Sequence, residues 1–490
     1  MIYRSTRGAE GDRSASYVIM HGIADDGGLY FPEKFPELSL ERIKELTEDD
    51  YITRAAKILS LYLTDYTYEE LLDAANKAYK PESFGDDPVP VVRKGGLDII
   101  ELWHGPTSAF KDMALQIMPH LLGMAIEKSG DARDALILVA TSGDTGKAAL
   151  EGYANVDRVK IIVFYPSQGV SEIQKLQMAT QRGNNVCVTA VKGNFDDCQN
   201  GVKAIFGNSD AAAEANDHGL FFSSANSINF GRLAPQIVYY VSAYCDMVKK
   251  GRIKLGDRVN ITVPTGNFGN ILAAYMAKKM GLPVNKLICA SNVNNVLTDF
   301  FRTGKYDRQR EFHTTISPSM DILISSNLER LIYLCVGAEK CKEYMTSLKD
   351  TGSFTVDDDV RKQLEHDFAA YYCNEDQTKD TIDAMFKASG YLIDPHTAVG
   401  VFAAHEYRKT DADTPMLVAS TASPYKFSAA VLSALGKEVP ENGFDAIALL
   451  EKISGTTAPE RLSKLREMLV RFTDTVEAEE MIDAVRKFAY

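Results

Sequence analysis

Short, unbroken apolar runs that alternate with glycine-bearing turns and helical segments constrain this chain more than any other feature. From residue 98 onward, the stretches 135–140, 159–165, 186–191, 220–223, 259–263, 286–290 and 415–419 each read as a strand. A strand that is apolar at successive positions is buried on both faces, so the intervening helices must supply two covering layers. The pattern predicts an α/β fold built on open, mostly parallel sheets. Ligands of such sheets gather in the crevice outside the carboxyl ends of the strands. The loops that leave those ends are therefore where chemistry is to be sought.

At 490 residues the chain exceeds one ordinary core, and about two or three domains are expected. A region of short helices runs to about residue 95 and carries the turn Ala24-Asp-Asp-Gly-Gly-Leu-Tyr-Phe-Pro32. Pro81, Pro88 and Pro90 mark a connection near 81–97. The expected units are 1–97, a smaller α/β domain over 98–235, and a larger one over 236–490. Within the last, 300–390 reads as mostly helical, polar insertions, and the C-terminal end as one or two amphipathic helices closing the domain. Fifty-four basic side chains against 67 acidic ones leave a net charge of −13, which speaks against nucleic-acid or anionic-membrane partners. An anionic substrate would need local positive groups that work against this field. No apolar span is long enough to cross a bilayer, and no signal peptide is visible. Seven scattered cysteines, without zinc spacing or Cys-x-x-Cys, suggest reduced thiols in a cytoplasmic protein with no metal site. Monomer and homo-oligomer both stay open.

Five segments carry candidate chemistry. His104-Gly-Pro-Thr-Ser-Ala-Phe-Lys111-Asp112 sets one lysine ahead of a helical period through Ala114, Ile117, Met118, Leu121, Leu122 and Ala125. Thr107 or Ser108 is expected to cap that helix, which puts Lys111 in its first turn, at the positive end of the dipole. A cation is disfavoured there, and burial would lower its pKa further, toward the neutral amine that imine formation needs. Pro119 predicts a kink or an early stop. By itself the segment also suits an ordinary surface lysine beside a capped helix. Val263-Pro-Thr-Gly266-Asn267-Phe268-Gly269-Asn270 follows a strand and opens a helix over 271–280, a geometry that suits a phosphate. It lacks Gly-x-Gly-x-x-Gly, so a dinucleotide fingerprint is not supported. Thr141-Ser142-Gly143-Asp144-Thr145-Gly146 also links strand to helix, without the spacing of a nucleotide loop. Ser224-Ala-Asn226-Ser227-Ile-Asn229-Phe-Gly-Arg232 ends on an arginine whose planar fork matches a phosphate. Thr421 lies at the end of a strand, within Ala419-Ser-Thr-Ala-Ser-Pro-Tyr-Lys-Phe427.

Together these segments resemble the threonine synthases, pyridoxal-phosphate enzymes of the β-family (fold type II, tryptophan synthase β-like). The likeness extends from the Asp-Gly-Gly-Leu-Tyr turn near the N-terminus to residue 427. It implies that Lys111 carries the cofactor and serves as general base, and that Gly266, Asn267, Phe268, Gly269 and Asn270 bind the cofactor phosphate. It also implies a place for Asp144 near the ring hydroxyl and for the Thr421 hydroxyl against the pyridine nitrogen. Thr141, Ser142, Gly143 and Thr145 would hold the substrate carboxylate, and Asn226 and Arg232 the phosphate of O-phospho-L-homoserine. The implied reaction is a γ-elimination of phosphate followed by β-addition of water to give L-threonine, the last step of threonine biosynthesis. That makes it a carbon–oxygen lyase acting on phosphates. Many β-family relatives have Asn where this chain has Asp144, as the microbial- and fungal-type threonine synthases do, and a carboxylate beside a phenolate repels unless one is protonated or bridged. Relatives often read Ala-His-Pro-Ala-Lys-Phe where this chain has Ser423 and Tyr425. Pro318-Ser-Met-Asp-Ile-Leu-Ile-Ser-Ser-Asn327 and Asp394-Pro-His-Thr-Ala-Val-Gly400 share the resemblance, with no role given to Asp321 or His396. Alternatives are a serine/threonine dehydratase, a cysteine synthase-like enzyme, or a non-catalytic homologue that binds the cofactor.

Overall fold

Each apolar run forms a strand, displaced by no more than a residue or two: Asp134–Ala140, Val159–Pro166, Val186–Val191, Leu220–Ser223, Val259–Pro264, Val284–Ser291 and Met416–Ser420. The structure, a computed structural model, describes residues 1–490 except Glu10, Ser142 and Gly169. The strands segregate into two sheets. One has five strands in the order Thr475–Val476, Val186–Val191, Val159–Pro166, Asp134–Ala140, Leu220–Ser223, all parallel. The other has six, in the order Phe368–Tyr372, Val284–Ser291, Val259–Pro264, Met416–Ser420, Leu97–Glu101, Val91–Lys94. Only Val91–Lys94 runs antiparallel to its neighbour. Every residue of Val259–Pro264 and of Met416–Ser420 is buried, as strands covered on both faces require. The fold is a mixed α/β arrangement of two open, mostly parallel sheets.

Two features go beyond the local pattern. The 300–390 stretch is not only helical insertion, because Phe368–Tyr372 forms an edge strand of the six-stranded sheet. Its sequence, Phe-Ala-Ala-Tyr-Tyr, is partly exposed and lacks the β-branched residues by which strands announce themselves. Sheet membership also departs from the expected divisions. Leu97–Glu101 belongs to the six-stranded sheet, whereas Thr475–Val476, near the far end of the chain, pairs with Val186–Val191. The closing helix Met481–Ala489 buries Met481, Val485 and Ala489 against Leu136, Ile162 and Phe164 of the same smaller sheet.

The N-terminal region packs against the larger part instead of standing apart. Helices Leu40–Glu48 and Tyr51–Tyr62 lie against Phe230–Lys249, a long helix buried along most of its length. Arg54 reaches from one side to Asp246 at 2.7 Å and to the Ser242 hydroxyl at 2.8 Å. Among the described residues, no helix is long and apolar enough to cross a membrane. The loops at 102–111, 224–229, 265–268 and 421–423, and the residues Thr141 and Gly143, all follow the carboxyl ends of strands that run parallel to a neighbour.

Candidate active site

The lysine segment is zippered to the end of the neighbouring strand. Phe110 donates its amide to the Thr421 carbonyl at 2.8 Å, Ser423 donates to the Ser108 carbonyl at 3.0 Å, and Ala109 bridges Ala422. Ser108 takes a left-handed φ of 60°, a strained conformation of the kind that clusters at functional sites. The expected cap is not formed. The helix Asp112–Leu115 is a single turn with Lys111 in the cap position and no side-chain cap. Thr107 instead donates, from its amide at 2.8 Å and its hydroxyl at 2.7 Å, to the buried carboxylate of Asp112. Burial pushes the Asp112 carboxyl up to about 6. The early stop ahead of Pro119 is real, and the chain restarts as Met118–Ser129 with that proline in its first turn.

Lys111 is partly buried, and its Nζ donates to Ser319 Oγ at 3.3 Å. Burial draws its pKa down to about 8, with Lys426 and Arg232 acting in the same direction and Asp144 opposing. Of the two causes expected, burial carries the depression, and cationic neighbours join it.

Asp144 begins the helix Asp144–Tyr153 and is buried. Lys426, whose side chain is wholly buried, sits 2.9 Å from Asp144 Oδ1 and donates to the Thr107 carbonyl at 2.9 Å. Gln174 Nε2 donates to the same carboxylate oxygen at 2.9 Å. Burial alone would raise the Asp144 carboxyl, but Lys426, Lys111 and the Lys426 and Gln174 hydrogen bonds hold it well below the usual range. The cation paired with this buried carboxylate is Lys426. The sequence held a clue, since an Asp where relatives carry Asn brings an extra buried charge that must be paired.

Elsewhere in this loop the Thr141 hydroxyl is committed internally, accepting from the amides of Gly143 at 3.0 Å and Gly146 at 2.9 Å. Gly143 has φ +141°, and a side chain there would meet Gln174 at 2.6 Å, so only glycine fits. Thr145 lies partly buried on the first helical turn. Ser142 falls outside the described residues.

The glycine turn is built as an anion cradle. Phe268 occupies the cap of helix Gly269–Met280 with a left-handed φ of 65°, held by packing against Phe301 and Phe368. Among the described residues, the amides of Asn267, Phe268 and Gly269 find no protein acceptor. Asn270 Oδ1 accepts from both Tyr239 and Tyr240 hydroxyls at 2.5 Å, and its buried Nδ2 is left without a partner. A buried donor without an acceptor needs an explanation, and a phosphate against a helix N-terminus supplies one. The outer side of the turn is tied down. Ser325 Oγ donates to the Gly266 carbonyl at 2.7 Å, and Asn327 Nδ2 donates to the Asn267 carbonyl at 3.0 Å. A side chain on Gly266 would come within 2.5 Å of the Ser319 carbonyl oxygen.

Behind Asn327 stands Arg330, fully buried and without an ion-pair partner among the described residues. Its guanidinium donates to Asn327 Oδ1 at 2.5 Å, the Tyr30 carbonyl at 3.0 Å and the Ile228 carbonyl at 2.6 Å. Burial draws it down to about 9. This support was invisible in the sequence, because its members are spread over three distant segments.

Arg232 is buried, donates from Nη1 to the Ala225 carbonyl at 2.6 Å, and has a buried Nε with no partner. Burial draws its pKa down to about 10. Asn226 by contrast is exposed, and among the described residues no hydrogen bond joins it to Arg232. Thr421 is buried, its amide donating to Thr397 Oγ1 at 3.3 Å. Asp321 accepts from Asn292 at 2.7 Å, Asn294 at 3.1 Å, and the Thr315 hydroxyl at 2.7 Å and amide at 2.9 Å, which makes it a loop clamp. Lys111 and the glycine turn share one neighbour, Ser319, which brings an amine of lowered pKa near the unpartnered donors of that turn. These residues fit a small molecule that carries an aldehyde and a phosphate.

Comparison with known proteins agrees. Residues 2–79 match the model for the threonine synthase N terminus, 101–421 that for pyridoxal-phosphate dependent enzymes, and 397–488 that for the threonine synthase C-terminal region. Threonine synthase-like 1 of Homo sapiens is 41% identical over 450 residues, which cover 89% of this chain and 60% of that protein. The chain thus spans about 60% of the length of the threonine synthase-like 1 relatives it matches. Threonine synthase of Pseudomonas aeruginosa is 38% identical, with 95% of this chain and 97% of that one covered. The crystal structure of a PLP-bound threonine synthase from Brucella melitensis superposes with a TM-score of 0.88 at 35% identity, covering 100% of this chain and 99% of that one. The chain belongs to the threonine synthase family of pyridoxal-phosphate-dependent enzymes.

Proposed function

We propose that this chain converts O-phospho-L-homoserine and water to L-threonine and phosphate, with pyridoxal phosphate as its cofactor. One observation carries the reading. Ser319 accepts from Lys111 Nζ through its hydroxyl, while its carbonyl oxygen fills the space in front of Gly266. An amine and an anion cradle that share a residue can hold the two ends of one small molecule. Lys111 would take the aldehyde end, Gly266, Asn267, Phe268, Gly269 and Asn270 the phosphate, and Thr421 and Asp144 would face the ring.

When bound, pyridoxal phosphate supplies an electron sink for negative charge on the α- and β-carbons of the amino acid. The chain's own residues supply the rest. A lysine drawn down to about 8 is neutral in a useful fraction of molecules near pH 7–8, so its Nζ can remove a carbon-bound proton and return it. Lys426 neutralises the Asp144 carboxylate, which removes the repulsion that a bare carboxylate would exert on an anionic ring oxygen. Arg232, desolvated and with Nε to spare, is suited to the substrate phosphate, with Asn226 joining from the solvent side of the same loop. Gly143 and Thr145 would meet the substrate carboxylate, with Ser142. Thr141 acts indirectly, by shaping their turn. All seven cysteines are unpaired, in keeping with a reducing, cytoplasmic setting.

Phosphate release from O-phospho-L-homoserine, with threonine identified as product, tests the reading. Lys111→Ala is expected to lose more than about a thousandfold in turnover. A wild-type protein that releases no phosphate but forms a keto acid from threonine would replace this reading with a dehydratase.

A further inference from the structure

The two stretches left without a role, 318–327 and 394–400, meet at Ser319. Its backbone amide donates to His396 Nε2 at 3.2 Å, and His396 Nδ1 lies 2.7 Å from Asp394 Oδ2. Because Nε2 accepts, Nδ1 carries the ring proton and donates it to the carboxylate. Asp394 is completely buried and caps the helix Pro395–Arg408, accepting from the Thr397 amide at 3.2 Å and from the Thr397 hydroxyl. Phe427 packs edge-on against His396, with ring centroids 4.9 Å apart. Asp394 and His396 are thus immobilised, and they immobilise the backbone of Ser319.

The Ser319 hydroxyl has one proton and two polar neighbours, Lys111 Nζ at 3.3 Å and Asp144 Oδ2 at 3.4 Å. An ionised carboxylate only accepts, so the hydroxyl proton goes to Asp144 and an oxygen lone pair is left for the lysine. One N–H of Lys111 is then aimed at Ser319, and the remaining valences of that nitrogen point elsewhere. We propose that Ser319 is a positioning residue for Lys111, and that the His396–Asp394 pair holds Ser319 in place for that task. The proposal rests on Lys111 being the reactive amine. Other charged groups that face this amine are Asp144, Lys426 and Arg232, and His396 is faced by Asp394.

An acceptor beside an ammonium favours the charged form, so loss of the hydroxyl lowers the titration midpoint of Lys111. Loss of aim slows chemistry without weakening substrate binding. Competitive acetylation of Lys111 against pH in the full-length chain, read by peptide mass spectrometry, measures the midpoint without cofactor or substrate. Ser319→Ala is expected to move it down by about half a unit to one unit. In the loaded enzyme the same variant is expected to lower kcat about 10- to 100-fold, with KM within about threefold of wild type. Ser319→Thr keeps the hydroxyl and recovers most of both effects, and His396→Ala moves both in the direction of Ser319→Ala by less. A Ser319→Ala protein with unchanged midpoint and kcat overturns the proposal, as does a Ser319→Thr protein that titrates like Ser319→Ala. If wild type released no phosphate, the functional reading would fall, and the acetylation midpoints would still decide the role of Ser319.

Discussion

The two ends of the site are built from different materials. At the lysine end, Lys111, Asp144 and Lys426 bring three ionisable groups together in a desolvated space, where the two lysines hold the Asp144 carboxyl down and burial draws Lys111 down. At the glycine turn the groups that face inward are neutral, namely backbone amides and the Asn270 amide, held by tyrosine hydroxyls and by Asn327. The contrast suits the roles proposed for the two ends. A proton carrier needs a titration midpoint within reach of ambient pH, which burial, charged neighbours and hydrogen bonds can set. A permanent anchor for a phosphate needs rigid donors that never change protonation state.

Lys426→Ala would break the charged end most severely, because it leaves the Asp144 carboxylate buried and unpaired. About 3–5 kcal/mol of unfolding free energy is expected to disappear, measurable by urea denaturation. Adding Asp144→Asn to that variant is expected to restore most of it, and no recovery would mean that the pair does not carry the stability. Gly266→Ala strikes the neutral end through shape alone. The added methyl meets the Ser319 carbonyl oxygen at 2.5 Å, and the strain is expected to weaken pyridoxal phosphate binding by about 1–3 kcal/mol in an absorbance titration. That loss should be nearly independent of pH between 6 and 9, whereas effects at the lysine end should not be.

The smallest effect sharpens the contrast. With Lys111 drawn down from 10.5 to about 8, the unfolded chain binds more protons than the folded one between those values. The stability of the cofactor-free protein should therefore gain from this group as pH rises from about 8 toward 10.5. Lys111→Met removes the penalty and is expected to be more stable than wild type near pH 7, by on the order of 1 kcal/mol since the lysine is only partly buried. The difference should close at high pH.

Local pattern made the parallel strands and the five chemical loops legible, because burial on both faces and glycine turns leave marks within a few residues. Long-range pairing leaves none. Lys426 stands in a segment that drew attention for Thr421, yet its partner lies far back in the chain at Asp144. Ser319 and Lys111 are 208 positions apart. The expected cap at Thr107 failed for a related reason. A cap must stand directly before the first helical residue, but the helix starts only at Asp112, whose buried carboxylate takes the Thr107 hydroxyl as a donor. Phe368–Tyr372 escaped notice because an edge strand with one face open need not be continuously apolar.

Arg330 gives the N-terminal region a consequence beyond its own folding. One guanidinium is shared among a carbonyl at Tyr30, a carbonyl in the loop that leads to Arg232, and the amide that pins the glycine turn. A shortened protein lacking its first eighty or so residues would not be a leaner catalyst with an appendage trimmed off, since a dry cation directly behind the anchor would be left one ligand short. Any evolutionary or engineered loss of that region would have to rebuild position 330 in the same step.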